Sequence, residues 1–332
     1  MREIKDISWS KLTELISNSK RIILTTHVNS DGDGLGSEVA LYHYLTSLGI
    51  DCRIINPTIL PKQFSFWSQK HLIELYDTSM NDWINGVDLS IILDIGDQNR
   101  MRDLNDVIFN TTTVSIDHHP TSIDSDYDYY IEDIQAPSVG LMLWRYFNQI
   151  KAWEKYPFEI AEALYISILT DTGSFKYSNT TAEAHTMASE LVGAGVNIGE
   201  MNRHIYESRS HEQVSLLQYV LNNINYSNNG KIGWFLLANK TKQDLNVSNE
   251  DVTGFTDFLR TINGVEVAVM FLEIDENKIR VNFRSKGKYI INDIASIIGG
   301  GGHKYAAGAL ILDKSLAQIE QQTISLLEEK II

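Results

Sequence analysis

The chain has 332 residues, with 28 basic against 43 acidic side chains for a formal net charge of −15, and 43% hydrophobic and 21% charged residues. That length suits two domains better than one core, and the apolar share is that of a globular protein rather than a disordered or fibrous one. The acidic excess argues against tracking long nucleic acid, which calls for a basic footprint, and the single cysteine, Cys52, excludes an intrachain disulfide framework and a thiolate metal cluster.

The opening residues, Met1 to Asp6, lack the apolar core of a signal peptide. No apolar run approaches the ~20 residues of a membrane span. A reducing cytoplasm is therefore the expected setting. In chain order, a helix is expected over residues 9–16 and a buried strand over 21–26. The stretch T-T-H-V-N-S-D-G-D-G-L-G-S, residues 25–37, then turns from strand to helix, and the helix should stop near Gly49. Gly32, Gly34 and Gly36 suggest a sharp backbone turn and close approach of a ligand. Strands are expected at 51–56, 88–94 and 112–117, the last ending in Asp117-His118-His119 before Pro120. Residues 64–77 read as mixed, with Phe64, Phe66 and Trp67 in the core.

Helices are expected over 139–150, 158–170, 180–192, 198–207 and 211–224. A polar turn-rich stretch, 225–230, follows. The C-terminal part restarts with a strand at 231–238 and a helix around 251–262. Strands at 265–273 and 278–284, a short helix at 291–298, a strand at 309–312 and a helix at 315–329 complete it. Strands alternating with helices predict an α/β fold. The expected architecture is a larger N-terminal parallel-sheet domain (residues 1–195) with helices on both faces, a helical connector (196–229) and a smaller C-terminal α/β domain (230–332). In parallel sheets, ligands sit beyond the carboxyl ends of strands.

The chemistry-bearing residues cluster at those ends. His27, Asp31, Asp33, Asp94, His118 and Asp171 offer imidazole nitrogens and carboxylate oxygens, donors suited to hard or borderline divalent ions. Asp94, an acid ending the apolar strand 88–94, is costly unless it binds something. Asp171 at a helix C-terminus opposes the helix dipole, a cost that a cation relieves. Two ions roughly 3.5–4 Å apart need a bridging group, and a carboxylate such as Asp94 can bridge. Separately, Lys278, Arg280, Arg284, Lys286 and Lys288 concentrate positive charge in an acidic chain. Gly299 to Gly302 can present backbone N–H groups to an anion, and Arg284 and His303 can clamp a terminal phosphate.

The ordered motifs H-V-N-S-D-G-D, I-L-D, D-H-H, T-D-T-G-S-F and G-G-G-G-H-K-Y-A-A-G, spanning residues 25–308, resemble the DHH phosphoesterases that carry an associated C-terminal domain. Within that family the chain is most similar to bacterial oligoribonucleases that also act as phosphatases of 3′-phosphoadenosine 5′-phosphate. The resemblance implies manganese at two positions, one held by His27, Asp31 and Asp94, the other by Asp33, Asp94, His118 and Asp171. It implies a phosphate contact for His119 and a place near the scissile group for Arg100. Arg284, Ser285 and His303, with the glycines Gly300, Gly301 and Gly302, would bind the far phosphate or 5′ end across a cleft between the domains. The expected activity is hydrolysis of short oligonucleotides, such as pApA, to mononucleotides, or dephosphorylation of 3′-phosphoadenosine 5′-phosphate. Hydrolysis of cyclic-di-AMP and nucleotide sensing without turnover are the alternatives. The expected partner is a short oligonucleotide or nucleotide bisphosphate, not a long polymer or a membrane. The sequence does not fix the oligomeric state, and a homodimer is compatible with it.

Overall fold

A computed structural model describes residues 5–68, 71–119, 126–227, 229–249, 251–252, 254–275 and 277–331. Pro120 and the side chain of His303 lie outside the described part. The chain divides into two compact units, Met1–Ser208 and Arg209–Ile332. The division falls within the stretch expected as a connector.

The first unit begins with β1 (Lys5–Asp6), α1 (Trp9–Ser17), β2 (Arg21–Thr25), α2 (Gly32–Ser47) and β3 (Asp51–Asn56). It continues through α3 (Ser65–Ser68), β4 (Ile73–Leu75), α4 (Asn81–Ile84), β5 (Leu89–Leu93), α5 (Asp103–Ile108), β6 (Thr112–Asp117) and β7 (Tyr129–Glu132). Four helices close it: α6 (Val139–Gln149), α7 (Phe158–Asp171), α8 (Ala182–Ala194) and α9 (Ile198–Tyr206). The strands form one seven-stranded parallel sheet in the order β1-β7-β6-β5-β2-β3-β4.

Strand alternation explains why the sheet is covered on both faces. Ile22 and Leu24 of β2, with Leu89, Ile91 and Leu93 of β5, enter a core shared with α1, α2, α6 and α7. Ile23 and Ile92 point the other way, into a second core with Ile84 of α4 and Leu104 and Ile108 of α5. Met201 and Ile205 of α9 join the first core, which is why that helix belongs to the first unit.

Strand order reverses at β2. The chain runs outward through β3 and β4, then returns to place β5 on the other side of β2. A crevice at such a reversal, beyond the strand C-termini, is where open α/β sheets bind ligands. The segments leaving β2, β5 and β6 carry His27, Asp94 and His118.

The second unit contains α10 (His211–Asn222), β8 (Asn225–Tyr226), β9 (Ile232–Leu237), α11 (Asn239–Asp244), α12 (Phe255–Arg260), β10 (Val267–Asp275) and β11 (Lys278–Ser285). It ends with α13 (Asn292–Ile297), β12 (Gly301–His303), β13 (Ala306–Leu312) and α14 (Leu316–Lys330). The strand order is β12-β13-β11-β10-β9-β8. The β9–β10 pair is parallel and the other neighbours are antiparallel. Leu216 and Val220 of α10 pack under Met270 and Leu272 on one face. Val269, Phe271 and Val281 pack against α13 and α14 on the other. The helix expected from residue 251 starts only at Phe255, because Gly254 takes a left-handed φ of 86°.

Candidate metal centre

The loop after β2 is short. Asn56, at the end of β3, accepts from the Thr26 N–H at 3.0 Å and the Thr25 hydroxyl at 3.3 Å, and donates to Glu38 Oε2 at 2.9 Å. This buried tie fixes the start of the loop. The His27 Nδ1 is 2.8 Å from the Val28 carbonyl, which leaves Nε2 as the free donor atom of the ring. Asp31 is the N-cap of α2, and its carboxylate accepts from the N–H groups of Asp33 and Gly34. Asp33 lies inside the first helical turn. The acids therefore separate because one caps the helix and the other belongs to it.

The glycines have a different cause from the one expected. Gly32, Gly34 and Gly36 lie within α2 and are absent from the positive-φ residues. A Cβ on Gly36 would sit 2.4 Å from the Ala163 carbonyl of α7, and one on Gly32 would sit 2.5 Å from Thr170 Oγ1. Gly34 would strike Thr26 Oγ1 at 2.3 Å. The spacing serves close helix and loop packing rather than a turn.

Asp94 follows β5 with a left-handed φ of 60°, a conformation a non-glycine residue adopts at a cost. Its Oδ2 lies 3.4 Å from His27 Nε2, and its Oδ1 lies 3.6 Å from His118 Nε2 and 3.2 Å from His119 Nδ1. One carboxylate thus faces two donor groups. His118 anchors its Nδ1 at 3.0 Å to the Ala136 carbonyl, again freeing Nε2. That Nε2 is also 3.6 Å from Asp33 Oδ2 and 3.6 Å from Asp171 Oδ2. Asp171 closes α7, where Asn179 Nδ2 donates to its backbone carbonyl at 3.1 Å and to that of Pro137 at 3.3 Å.

Ligand-capable atoms accordingly gather as His27, Asp31 and Asp94, as Asp33, His118 and Asp171, and as Asp94, His118 and His119. The six residues expected to hold metal are brought together. Asp94 Oδ1 is buried and lacks a hydrogen-bond partner, a costly state for a carboxylate. The oxygen and nitrogen donor set, the freed Nε2 atoms and this orphaned oxygen fit divalent cations.

Electrostatics point the same way. Burial opposes charge on His27, yet hydrogen bonding to Asp31 and Asp94 outweighs it and lifts its pKa to about 10. For His118, burial is likewise outweighed, by Asp94 and then Asp33 and Asp171, giving about 10. His119 reaches about 11 against its burial, through Asp117 and Asp94. Burial and then the charge of Asp94 push Asp33 up to about 7. Burial also acts to raise Asp94, but His118, His119 and His27 hold it well below the ordinary carboxylate range. Protons on imidazoles here do what divalent ions would do better.

Other expected site residues fall in two places. Arg100 sits on the turn Gln98–Met101, whose carbonyl at Arg100 accepts from the Val28 N–H at 2.9 Å, and its charge acts on His27. His119 is held by Asp117, whose Oδ1 accepts from the His119 N–H at 3.0 Å and lies 2.7 Å from its Nδ1. In the second unit, β11 alternates as expected: Ile279, Val281 and Phe283 are buried, while Arg280, Asn282 and Arg284 line the opposite face. Arg284 is partly engaged, with Nε 3.4 Å from Asp257 and Nη1 donating to the Phe283 carbonyl at 3.0 Å. Ser285 is buried, its hydroxyl accepting from the Gly287 N–H at 3.2 Å. The glycine run is not an open cradle. The Gly300 N–H donates to the Ala295 carbonyl at 2.7 Å, and its missing Cβ makes room for the Gly308 carbonyl. Gly301 and Gly302 pair with Gly308 and Ala307 in the β12–β13 ladder.

Four residues around the centre carried no marker in the sequence reading. Ser138, Ser167, Asn56 and Glu38 are buried polar groups that hold the segments carrying the candidate ligands. Only Ser138 carries a local signal, as a serine directly before an apolar helix.

Comparison with known proteins agrees with this geometry. Residues 21–168 match the DHH family, N-terminal domain, and residues 235–330 match the DHHA1 domain. The bifunctional oligoribonuclease and PAP phosphatase NrnA of Bacillus subtilis is 30% identical over 318 residues, 94% of this chain and 97% of that protein. The protein of the same name from Thermus thermophilus is 28% identical, covering 93% of this chain and 90% of its own. The crystal structure of an exopolyphosphatase-related protein from Bacteroides fragilis superposes with a TM-score of 0.88 at 25% identity, covering 96% and 95% of the two chains. With matched domains in both units and a relative this similar over nearly its whole length, the chain belongs to the DHH family of phosphoesterases.

Proposed function

We propose that the protein is a manganese-dependent hydrolase of short phosphate esters, releasing mononucleotides from oligoribonucleotides of a few residues and AMP from 3′-phosphoadenosine 5′-phosphate. The observation that carries the reading is the buried Asp94, whose two oxygens face His27 and His118 from the middle of an acid–imidazole cluster. His27, Asp31 and Asp94 would hold one ion, and Asp33, Asp94, His118 and Asp171 the other. When bound, a metal pair supplies an activated water and charge stabilisation for in-line displacement at phosphorus.

The chain's own groups do the rest. Asp94 sets the separation of the two positions. His119 keeps a proton because Asp117 and Asp94 flank its Nδ1, so its imidazolium can bind a phosphate oxygen. Arg100 adds positive charge beside His27. Arg284 contributes a guanidinium for a second phosphate of the substrate, and His303 is assigned the same task. The names of the similar proteins support the substrate class. The formal charge of −15 supports small anions over long polymers. Among the described residues no helix is long and apolar enough to cross a membrane, and we place the activity in the cytoplasm, where a lone thiol stays reduced.

The test is a substrate panel with Mn2+: pApA, 3′-phosphoadenosine 5′-phosphate, cyclic-di-AMP and a long single-stranded RNA, with products resolved by chromatography. Turnover of the first two well above the others is expected. Equal turnover of the long RNA would refute the short-substrate reading, and tight nucleotide binding without product would refute catalysis.

A further inference from the structure

The carboxylate of Asp33 is not held by its own backbone alone. Its Oδ1 accepts from the Ser167 hydroxyl at 2.5 Å, the Gly140 N–H at 3.1 Å and the Ser37 hydroxyl at 3.4 Å. Its Oδ2 accepts from the Val139 N–H at 2.8 Å and otherwise faces His118 Nε2 at 3.6 Å. A carboxylate offers about four lone-pair sites, shared between two oxygens. Oδ1 is therefore saturated, and Oδ2 keeps a free direction toward His118. The asymmetry selects which oxygen can serve as a ligand.

Three helices meet to make this possible. Val139 and Gly140 are the first residues of α6, whose N-terminal N–H groups favour an anion. Ser167 is on α7, one turn before Asp171, so both project from one helix face. Ser138 Oγ caps α6 by accepting from the Leu141 N–H at 3.1 Å and lies 3.2 Å from Ser167 Oγ. Ser167 has a single hydroxyl proton, and the 2.5 Å contact to a carboxylate claims it. Ser138 Oγ lies on the acceptor side of the same hydroxyl at the longer distance of 3.2 Å. Close packing is obligatory: a Cβ on Gly140 would lie 2.0 Å from Ser167 Oγ, and one on Gly36 would lie 3.2 Å from Ser167 Cβ.

We infer that Ser167 is a positioning residue for the second metal position: it locks the Asp33 carboxylate with Oδ2 turned toward His118 and ties it to the helix that delivers Asp171. The inference rests on the two-metal reading above. Its consequence is selective. Asp33 and Asp171 belong to one ligand group, whereas His27 and Asp31 belong to the other. Loss of the Ser167 hydroxyl should loosen the group containing Asp33 and Asp171 and leave the group containing His27 and Asp31 intact.

The experiment is a Mn2+ titration of the full chain followed by electron paramagnetic resonance, comparing wild type with Ser167→Ala and Ser138→Ala, with thermal unfolding in parallel. Outer groups that orient metal ligands are typically worth about 10- to 100-fold in metal affinity. In Ser167→Ala one class of Mn2+ site is expected to weaken by about that factor. The spin-coupled pair signal then appears only at higher Mn2+, and the other class is unchanged. Ser138→Ala should shift the same class in the same direction by less, which keeps the test open if Ser167→Ala folds poorly. A wild-type Mn2+ pair with unaltered titration in both variants overturns this inference alone. Equal weakening of both classes together with a lowered unfolding midpoint shows a merely structural serine and overturns it too. A wild-type protein that binds no Mn2+ pair overturns the two-metal reading and this inference with it.

Discussion

Metal binding to this centre should release protons, and its affinity should rise with pH. A metal-ligating imidazole must be neutral. Without metal, His27 and His118 are each raised to a pKa of about 10 because the neighbouring carboxylates, Asp31 and Asp94 for His27 and Asp94 foremost for His118, outweigh burial and stabilise their protons. At pH 7 each ring is therefore three units below its pKa, and deprotonating it costs roughly 4 kcal/mol at 1.36 kcal/mol per unit. The sign is fixed by the raised pKa: acid favours the protonated, metal-free state, and the penalty shrinks as pH approaches 10. Between pH 7 and 8, affinity should increase about tenfold for every proton displaced. Asp33, pushed up to about 7, adds a fractional proton at neutrality that disappears above it. Calorimetric Mn2+ titrations in buffers of different ionisation enthalpy count these protons directly. Buffer-independent heats, with an affinity flat in pH, would show that the imidazoles are already neutral and refute the charge-compensated description.

Three substitutions probe the other parts of the arrangement. Asp94→Ala removes the one carboxylate that, among the described residues, faces both His27 and His118; metal stoichiometry and turnover should fall together, the latter by about 10³-fold or more, and full activity by initial-rate assay would refute the bridging role. Gly36→Ala drives a Cβ to 2.4 Å from the Ala163 carbonyl; overpacking of this kind costs about 1–3 kcal/mol, so calorimetry should find a midpoint lower by several degrees, and an unchanged midpoint would refute the tight α2–α7 seam. Arg284→Ala removes a guanidinium already shared with Asp257; KM for pApA should rise about 10- to 100-fold with kcat nearly constant, and an unchanged KM would count against the phosphate contact.

Much of the first unit was legible because its signals are local. The runs Ile22-Ile23-Leu24 and Leu89-Ser90-Ile91-Ile92-Leu93 carry their strand character in four or five neighbouring residues, and the acids and imidazoles follow directly. The candidate ligands were legible for the same reason, being acids and imidazoles at the ends of apolar elements. What escaped was short or non-local. The edge strand β4 and the inner strand β7, which lies between β1 and β6, are three and four residues long and not uniformly apolar, so periodicity does not detect them. Ser167 is a lone hydroxyl in an apolar helix, and its meaning depends on Asp33, 134 positions away. The glycines of α2 were read as turn residues because glycine-rich sequence says only that a Cβ is absent, not whether conformation or crowding requires it.

That ambiguity bears on how the centre is assembled. At Gly254, Gly299 and Gly302 a left-handed φ requires glycine. At Gly32 and Gly36 the requirement is instead the approach of α7. The helix carrying Asp31 and Asp33 and the helix ending in Asp171 therefore form one rigid pair, so two ligand-bearing elements far apart in sequence share a fixed register. The contrary case is Asp94, a non-glycine residue held at φ 60° where such a backbone costs about 1–3 kcal/mol. Glycine would relieve that strain but would remove the carboxylate. The β5 strand is pinned between β2 and β6, and the Asp94 N–H continues the ladder by donating to the Ile116 carbonyl at 3.0 Å. The sheet thus has the rigidity to hold the strained residue, and the strain turns its carboxylate so that one oxygen faces His27 and the other His118. Packing fixes the helices, strain aims the bridge, and neither alone would place both donor groups around one carboxylate.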